Sequence, residues 1–374
     1  MDSLTQAVLG AGISGAALGR FHGRKALLAG ALLATLPDLD VLIDYGDPVS
    51  GMIHHRGFSH SLFVLTGVAV VLAAALRRWR PVREYGAGRL LLALWLVLIT
   101  HPLLDAFTSY GTQLWWPLRP TPTSWSSIFI IDPFYTLPLL IAVIAAAVRG
   151  AGRRSQRALA WGLGISTTYL ALSLAAKAGI EGRVDKMLAQ DGIQVEAMFS
   201  SPEPFNILLW RVVARTADDH YIEVISGLLD RGPPERIELP LNSALAGALP
   251  QSPQLAGLRW FTGDWLRYDD IDGQLVATDL RMGLGPGYYS FRFLLGRRTG
   301  PGETWLAVEP AYWPSDRGGR GPALMDTIRR IWRQSPPLPL AKWEEKMTPT
   351  LHRLRGSLPP EGALFALGRP GGKK

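Results

Sequence analysis

Long runs without charge alternate with short basic turns through the first half of the chain, and the pattern then changes. Leu62 to Leu76, Leu90 to Thr100, Leu137 to Val148 and Ala158 to Ala176 are almost free of charge. A bilayer core of roughly 30 Å takes about 20 helical residues, so these runs with their polar flanks have the length of membrane spans. Ahead of them, Leu4 to Gly19 is small and apolar, with Ala11, Gly15 and Gly19 one turn apart, a spacing that lets helices approach closely. A second apolar piece follows the turn Arg20 to Lys25 and runs to Leu36, where Pro37 ends it. The pattern predicts about six apolar helices: this hairpin, then helices from near His60, over Leu90 to Phe107, over Ile128 to Val148 and over Ala158 to Lys177.

Beyond about Ile180, Pro/Gly-rich stretches separate short segments of strand formers: Ile207 to Ala214, Tyr221 to Ser226, Leu275 to Asp279, Tyr288 to Leu295 and Thr304 to Val308. Asp272-Gly273 and Gly285-Pro286-Gly287 read as turns between them. The expected fold is an α-helical membrane domain over 1–178, then a mainly antiparallel β (α+β) soluble domain over 179–355 with a helix near Ala323 to Trp332. A loose tail is expected over 356–374.

Composition agrees with this division. At 374 residues the chain has room for two domains, and 48% hydrophobic content is high for a soluble enzyme. Its mean hydropathy is +0.12. A net charge of +8 invites a nucleic-acid reading, but twelve basic residues of the first half sit in three turns, 20–25, 77–89 and 149–157. The alternate connections hold only Arg56 and Arg119. That asymmetry orients a membrane protein instead, with the basic turns in the cytoplasm and the second half outside, so no nucleic-acid partner is expected. Met1-Asp2-Ser3 lacks the basic start of a cleavable signal, so the first helix is expected to stay. With no cysteine, thiolate ligands, disulfides and a cysteine nucleophile are excluded.

On the side opposite the basic turns stand Asp38, Asp40, His55, His60, His101 and Asp105. His101 and Asp105 are one helical turn apart and can reach one cation. Pro37 lets the chain turn so that Asp38 and Asp40 are presented together. Gly57 permits a bend between His55 and His60, and Ser59 is placed to cap the next helix. A sulfur-free imidazole and carboxylate set suits zinc first, with manganese or iron as alternatives. Arg56, between two histidines, has the planar fork that holds a phosphate or carboxylate of a substrate.

Each string has a plainer reading. Pro-Asp-x-Asp can be a helix stop, and His101 with Asp105 can be a hydrogen-bonded pair between helices. Asp132 most simply caps the fifth helix, with support of the site as its sharper reading; Asp2 and His54 are further supporting candidates. Trp115, Trp116 and Trp125 fit an interfacial aromatic belt. Taken together, ionisable groups beside membrane segments favour pairing, ion binding or chemistry over chance.

Three strings, Leu36-Pro37-Asp38-Leu39-Asp40, His55-Arg56-Gly57-Phe58-Ser59-His60-Ser61, and His101-Pro102-Leu103-Leu104-Asp105-Ala106-Phe107-Thr108 followed by Trp116-Pro117, resemble the YdjM-like inner-membrane proteins, described as metal-dependent hydrolases. They occur in the family's order over roughly residues 1–150. The resemblance implies a helical protein of the bacterial cytoplasmic membrane whose histidines and aspartates bind a divalent metal. An early histidine common in that family is absent here, where Asp2 or Gln6 stands in the matching region. A more distant likeness to zinc-dependent phospholipase C implies phosphoester substrates.

The expected function is a membrane-bound metal-dependent hydrolase that activates water to cleave a lipid or phosphoester at the outer surface, with membrane lipid or a small molecule as partner. The alternative is a non-catalytic membrane assembly or sensor protein with a structural metal site. An open coordination position separates the two.

Overall fold

The computed structural model describes residues 1–79, 84–150, 152–249, 252–300, 303–314 and 320–347. The tail over 356–374, and Arg80 and Arg83 of the second basic turn, lie outside the described residues.

Helices α1 (Ser3–His22) and α2 (Arg24–Ala34) form an antiparallel hairpin. Their closest approach is at Gly10 and Gly30, where a Cβ on either residue would run into the other's backbone. The small-residue spacing read at Ala11, Gly15 and Gly19 therefore points at the right helix pair but not at its tightest crossing. A 3₁₀ turn over Pro37–Leu42 follows, because Pro37 cannot continue α2. The short helix α3 (Pro48–His54), capped by Asp47, was not evident from the apolar pattern. Next come α4 (Leu62–Trp79), α5 (Ala87–Ala106), α6 (Pro133–Arg149) and α7 (Arg153–Gln190). Ser61, not Ser59, reaches the first turn of α4, its Oγ accepting from Val64 N–H at 3.4 Å. Helices α4, α5 and α7 are long and apolar enough to cross a membrane, and α6 is a shorter apolar helix.

The helix ends sort by charge. At one end Arg24 donates to the Val148 carbonyl (2.9 Å) and Arg89 to the Ala17 carbonyl (3.3 Å), gathering the basic turns. At the other, Gln6 of α1 donates to the His101 carbonyl (3.1 Å) and the Ala34 carbonyl meets the His101 ring (2.6 Å).

Helix α7 runs without a break into the second half and covers one sheet. Strands β1 (Val195–Pro202), β2 (Leu209–Thr216), β3 (His220–Gly227) and β4 (Glu235–Pro240) form an antiparallel meander. Alternation decides its faces: Trp210, Val212 and Ala214 pack on Ile180, Val184 and Leu188 of α7, while Val213 and Tyr221 face Leu280 and Tyr289. Helix α8 (Pro253–Thr262) precedes a second antiparallel meander of β5 (Leu266–Ile271), β6 (Gln274–Asp279), β7 (Arg292–Arg297) and β8 (Leu306–Tyr312). Asp272 and Gly273, both with positive φ, make the two-residue hairpin turn between β5 and β6. Helices α9 (Arg320–Trp332) and α10 (Leu340–Glu344) complete the described fold. The described residues thus form two four-stranded sheets, each antiparallel throughout, where one sheet was expected.

The two halves share a core. Val49, Met52 and Ile53 of α3 are buried with Leu255, Leu258 and Phe261 of α8 against Leu275 and Phe293 of the second sheet. Each such side chain contributes roughly 1.5–3 kcal/mol by leaving water. This anchor fixes the loop that follows α3, which carries His55 to His60. Several charges buried in the second half are paired, as where Arg211 meets Glu223 through Nε (2.8 Å) and Nη2 (3.0 Å).

Candidate metal centre

Asp38, His60, His101 and Asp105 come together, each offering one donor atom within 4.8 Å of all the others. The 3₁₀ turn after α2 supplies Asp38, the loop before α4 supplies His60, and the last turns of α5 supply His101 and Asp105. His60 Nε2 and His101 Nε2 are 3.2 Å apart. Asp38 Oδ1 lies 3.6 Å from the first and 3.3 Å from the second, and Asp105 Oδ2 lies 3.2 and 3.5 Å from them. A tetrahedron with metal–ligand bonds of about 2.0–2.1 Å has edges of about 3.3–3.4 Å, so these spacings fit a cation at the centre.

Neighbouring groups set both imidazole tautomers. The Ala34 carbonyl, 2.6 Å from His101 Nδ1, can only accept, so Nδ1 carries the hydrogen and Nε2 presents its lone pair inward. Ser59 donates to Asp40 Oδ2 (2.6 Å) and therefore accepts from His60 Nδ1–H (2.9 Å), which turns the His60 Nε2 lone pair inward as well. Two lone pairs and two carboxylates now face one point. Burial opposes charge on His60, yet Asp105 and Asp38 outweigh it and raise its pKa. Burial likewise works to raise the Asp38 carboxyl, but the facing His101 and His60 rings hold it below the usual carboxylate range. Two carboxylates facing two neutral imidazoles leave the four donors short of positive charge, which a divalent cation supplies.

Asp105 divides its two oxygens. Oδ2 faces the imidazoles and has no hydrogen-bond partner, as does Gln6 Oε1, also buried. Oδ1 faces the Met1 α-amino group, Gln6 Nε2 (3.2 Å) and Arg56 Nη2 (3.2 Å). Gln6 therefore stands at the cage. The donor chemistry and these two orphaned oxygens fit a divalent metal.

Asp40 and His55, read from the sequence as ligands, form a pair beside the group of four. Asp40 Oδ1 meets His55 Nδ1 (2.9 Å), while Oδ2 accepts from Arg56 N–H (2.9 Å) and Ser59. This carboxylate thus organises the 55–59 loop, in which Arg56 adopts φ 62°. Burial works to raise Asp40, but His55 and Ser59 outweigh it and lower its pKa. Arg56 is buried: besides Asp105 it reaches Thr108 Oγ1 (3.3 Å) and lies over the Tyr110 ring at 5.0 Å, and its Nε has no partner.

Asp2, His54 and Asp132 are engaged elsewhere. Asp2 caps α1 through Thr5 N–H (3.0 Å), His54 stacks on Tyr45 at 5.2 Å, and Asp132 caps α6 through Phe134 N–H (3.0 Å) and Tyr135 N–H (3.4 Å). Trp115, Trp116 and Trp125 remain partly exposed, each packed on a phenylalanine. Sequence reasoning did not find the Ala34 carbonyl, Thr108 or Tyr110. A backbone carbonyl carries no residue signature, and the other two act through Arg56.

Residues 1–180 match the family described as YdjM inner membrane protein, so the likeness carried by the three motifs extends through most of α7. The chain is 26% identical over 231 residues to the uncharacterized protein YfhP of Bacillus subtilis (strain 168), an alignment covering 59% of this chain and 67% of that one. It is 38% identical over 93 residues to the inner membrane protein YbcI of Escherichia coli (strain K12), covering 25% of this chain and 52% of that one. The chain thus spans about half the length of YbcI. No solved structure matches.

Proposed function

With residues 1–180 matching an inner membrane protein family, we propose that this chain is a multi-pass protein of the bacterial cytoplasmic membrane and a metal-dependent hydrolase acting on a lipid or phosphoester. The observation that carries the reading is the cage of Asp38, His60, His101 and Asp105, whose imidazole lone pairs are turned inward by Ser59 and the Ala34 carbonyl. Zinc is the cation its donors suit best. Such a cation supplies Lewis acidity toward water and toward a phosphoryl or acyl oxygen.

The chain's own residues supply the rest. Three of the four donors are fully buried, whereas the Asp38 side chain is 23% exposed and marks the side from which solvent and substrate approach. Leu39, Val41 and Leu42 around it are exposed apolar residues, which favours a site at a lipid surface. Arg56 holds Asp105 in place and has an unpartnered Nε–H, a donor for an oxyanion. The basic turns gathered at the far end of the bundle support an extracytoplasmic site.

A structural metal site is the second reading, favoured by the count of four protein donors, enough to close a tetrahedron. The exposed Asp38 favours catalysis, because a carboxylate at the edge can shift to admit water. Purified protein in detergent is expected to hydrolyse members of a panel of phosphodiesters, phosphomonoesters and phospholipids. A chelator should abolish turnover and added zinc or manganese restore it. Stoichiometric metal with no turnover across the panel would decide for the structural reading.

A further inference from the structure

A cavity of about 340 Å³, within the size range of ligand sites, lies where the two halves of the chain meet. Its wall is mostly carbon, from residues such as Phe129, Phe205, Met282, Leu284 and Leu324. The larger polar side chains in the wall are committed to protein partners, with the small hydroxyls of Ser201 and Ser290 beside them. Arg281 binds Asp279 through Nε (3.0 Å) and Nη2 (2.8 Å), the Tyr289 hydroxyl binds Arg211 (2.8 Å) and Glu223 (3.0 Å), and Ser109 binds Ser126 (2.8 Å). A ligand here meets mostly hydrocarbon.

One rim continues onto the outside of the helical half. Ile130 lines the cavity and is partly exposed, and beyond it Ile131 is half exposed. Then comes an exposed apolar stripe along α6: Phe134, Leu137, Ile141, Ile144 and Val148, at alternating steps of three and four that keep one helix face. A face of that kind on a helix of a membrane protein meets lipid chains. Another part of the wall adjoins the metal cage: Thr108 and Tyr110 line the cavity, and both touch Arg56, which binds Asp105.

We propose that this cavity receives a hydrocarbon chain of a membrane lipid, drawn in from the α6 face, so that an amphiphile is the substrate of the neighbouring cage. The inference rests on the hydrolase reading for the word substrate, but binding of the chain is tested apart from turnover.

The test uses the full-length protein in nanodiscs containing phosphatidylglycerol that carries a diazirine near the end of one acyl chain. After irradiation, adducts are mapped by mass spectrometry, with and without chelator. Adducts are expected at Phe129 to Ile130 and Met282 to Leu284 in both conditions. Leu324→Trp, which fills the cavity, should reduce them at least fivefold while leaving adducts on the α6 stripe and the bound metal unchanged. Leu324→Ala, which enlarges it, should keep them. Adducts confined to outward helix faces, or cavity adducts indifferent to Leu324→Trp, would overturn the proposal. Cavity labelling without hydrolysis of any lipid or phosphoester would instead remove the hydrolase reading and leave the chain site standing.

Discussion

His60 and His101 present their Nε2 atoms to one another at 3.2 Å, each with its Nδ1 hydrogen already taken, by Ser59 and by the Ala34 carbonyl. Ser59 is thus a positioning residue for the metal. Ser59→Ala frees the His60 ring and is expected to weaken divalent affinity about 10–100-fold, the usual effect of losing a partner behind a ligand. Competition with a chromophoric chelator measures it, and unchanged affinity would show that His60 needs no such support.

His60→Ala and Asp105→Ala should both purify with little metal, measured by plasma mass spectrometry. They should differ in stability. Asp105→Ala also strips Arg56 of its carboxylate, and an unpaired buried charge costs about 3–5 kcal/mol, so only this variant should melt far below a metal-stripped wild type. Full metal content in both variants would refute the cage.

Glu203 gives the second half a pH dependence. Burial pushes its carboxyl up to about 8 from an ordinary 4.5; Arg211 opposes this and Glu223 reinforces it. Between those values the folded chain keeps a proton that the unfolded chain releases, so stability is greatest below about pH 4.5 and falls as pH rises through about 8. Thermal melts in detergent from pH 5 to 9 should show the fall from this group. In Glu203→Gln, which stays neutral, the curve should flatten; an identical slope in the variant would assign the dependence elsewhere.

Topology can be read on a chain that contains no cysteine of its own. Asp44→Cys, near the cage, should react with a membrane-impermeant maleimide in intact cells. Arg154→Cys, in a basic turn, should react only after the membrane is opened. The reverse pattern would invert the orientation.

Helix α3 links the halves through Met52 and Ile53, and truncating either to alanine is expected to cost about 2–5 kcal/mol. The loop carrying His55 to His60 hangs from this helix, so Ile53→Ala should also lower metal affinity. A stability loss with unaltered affinity would mean that the loop is held by Asp40 alone.

The cage was legible in the sequence because its members come from three short strings at helix ends, where His101 and Asp105 are bound to share a face. Asp40 and His55 were harder to place. In a tight turn two aspartates two residues apart diverge, and nothing in Asp38-Leu39-Asp40 says which one turns to the imidazoles. Helix α3 went unread because seven residues carry too little periodicity, and its apolar side chains serve a core formed by a distant part of the chain. The hairpin at Asp272-Gly273 was evident because its backbone demand is local. The division into two sheets was not, since it depends on what lies between β4 and β5.

Helix α7, at 38 residues and about 1.5 Å per residue, measures roughly 57 Å. A bilayer core accounts for only about 30 Å of that. In a membrane such a rod works as a mast: its upper turns carry the first sheet clear of the headgroups, and any tilt at its foot swings that sheet sideways.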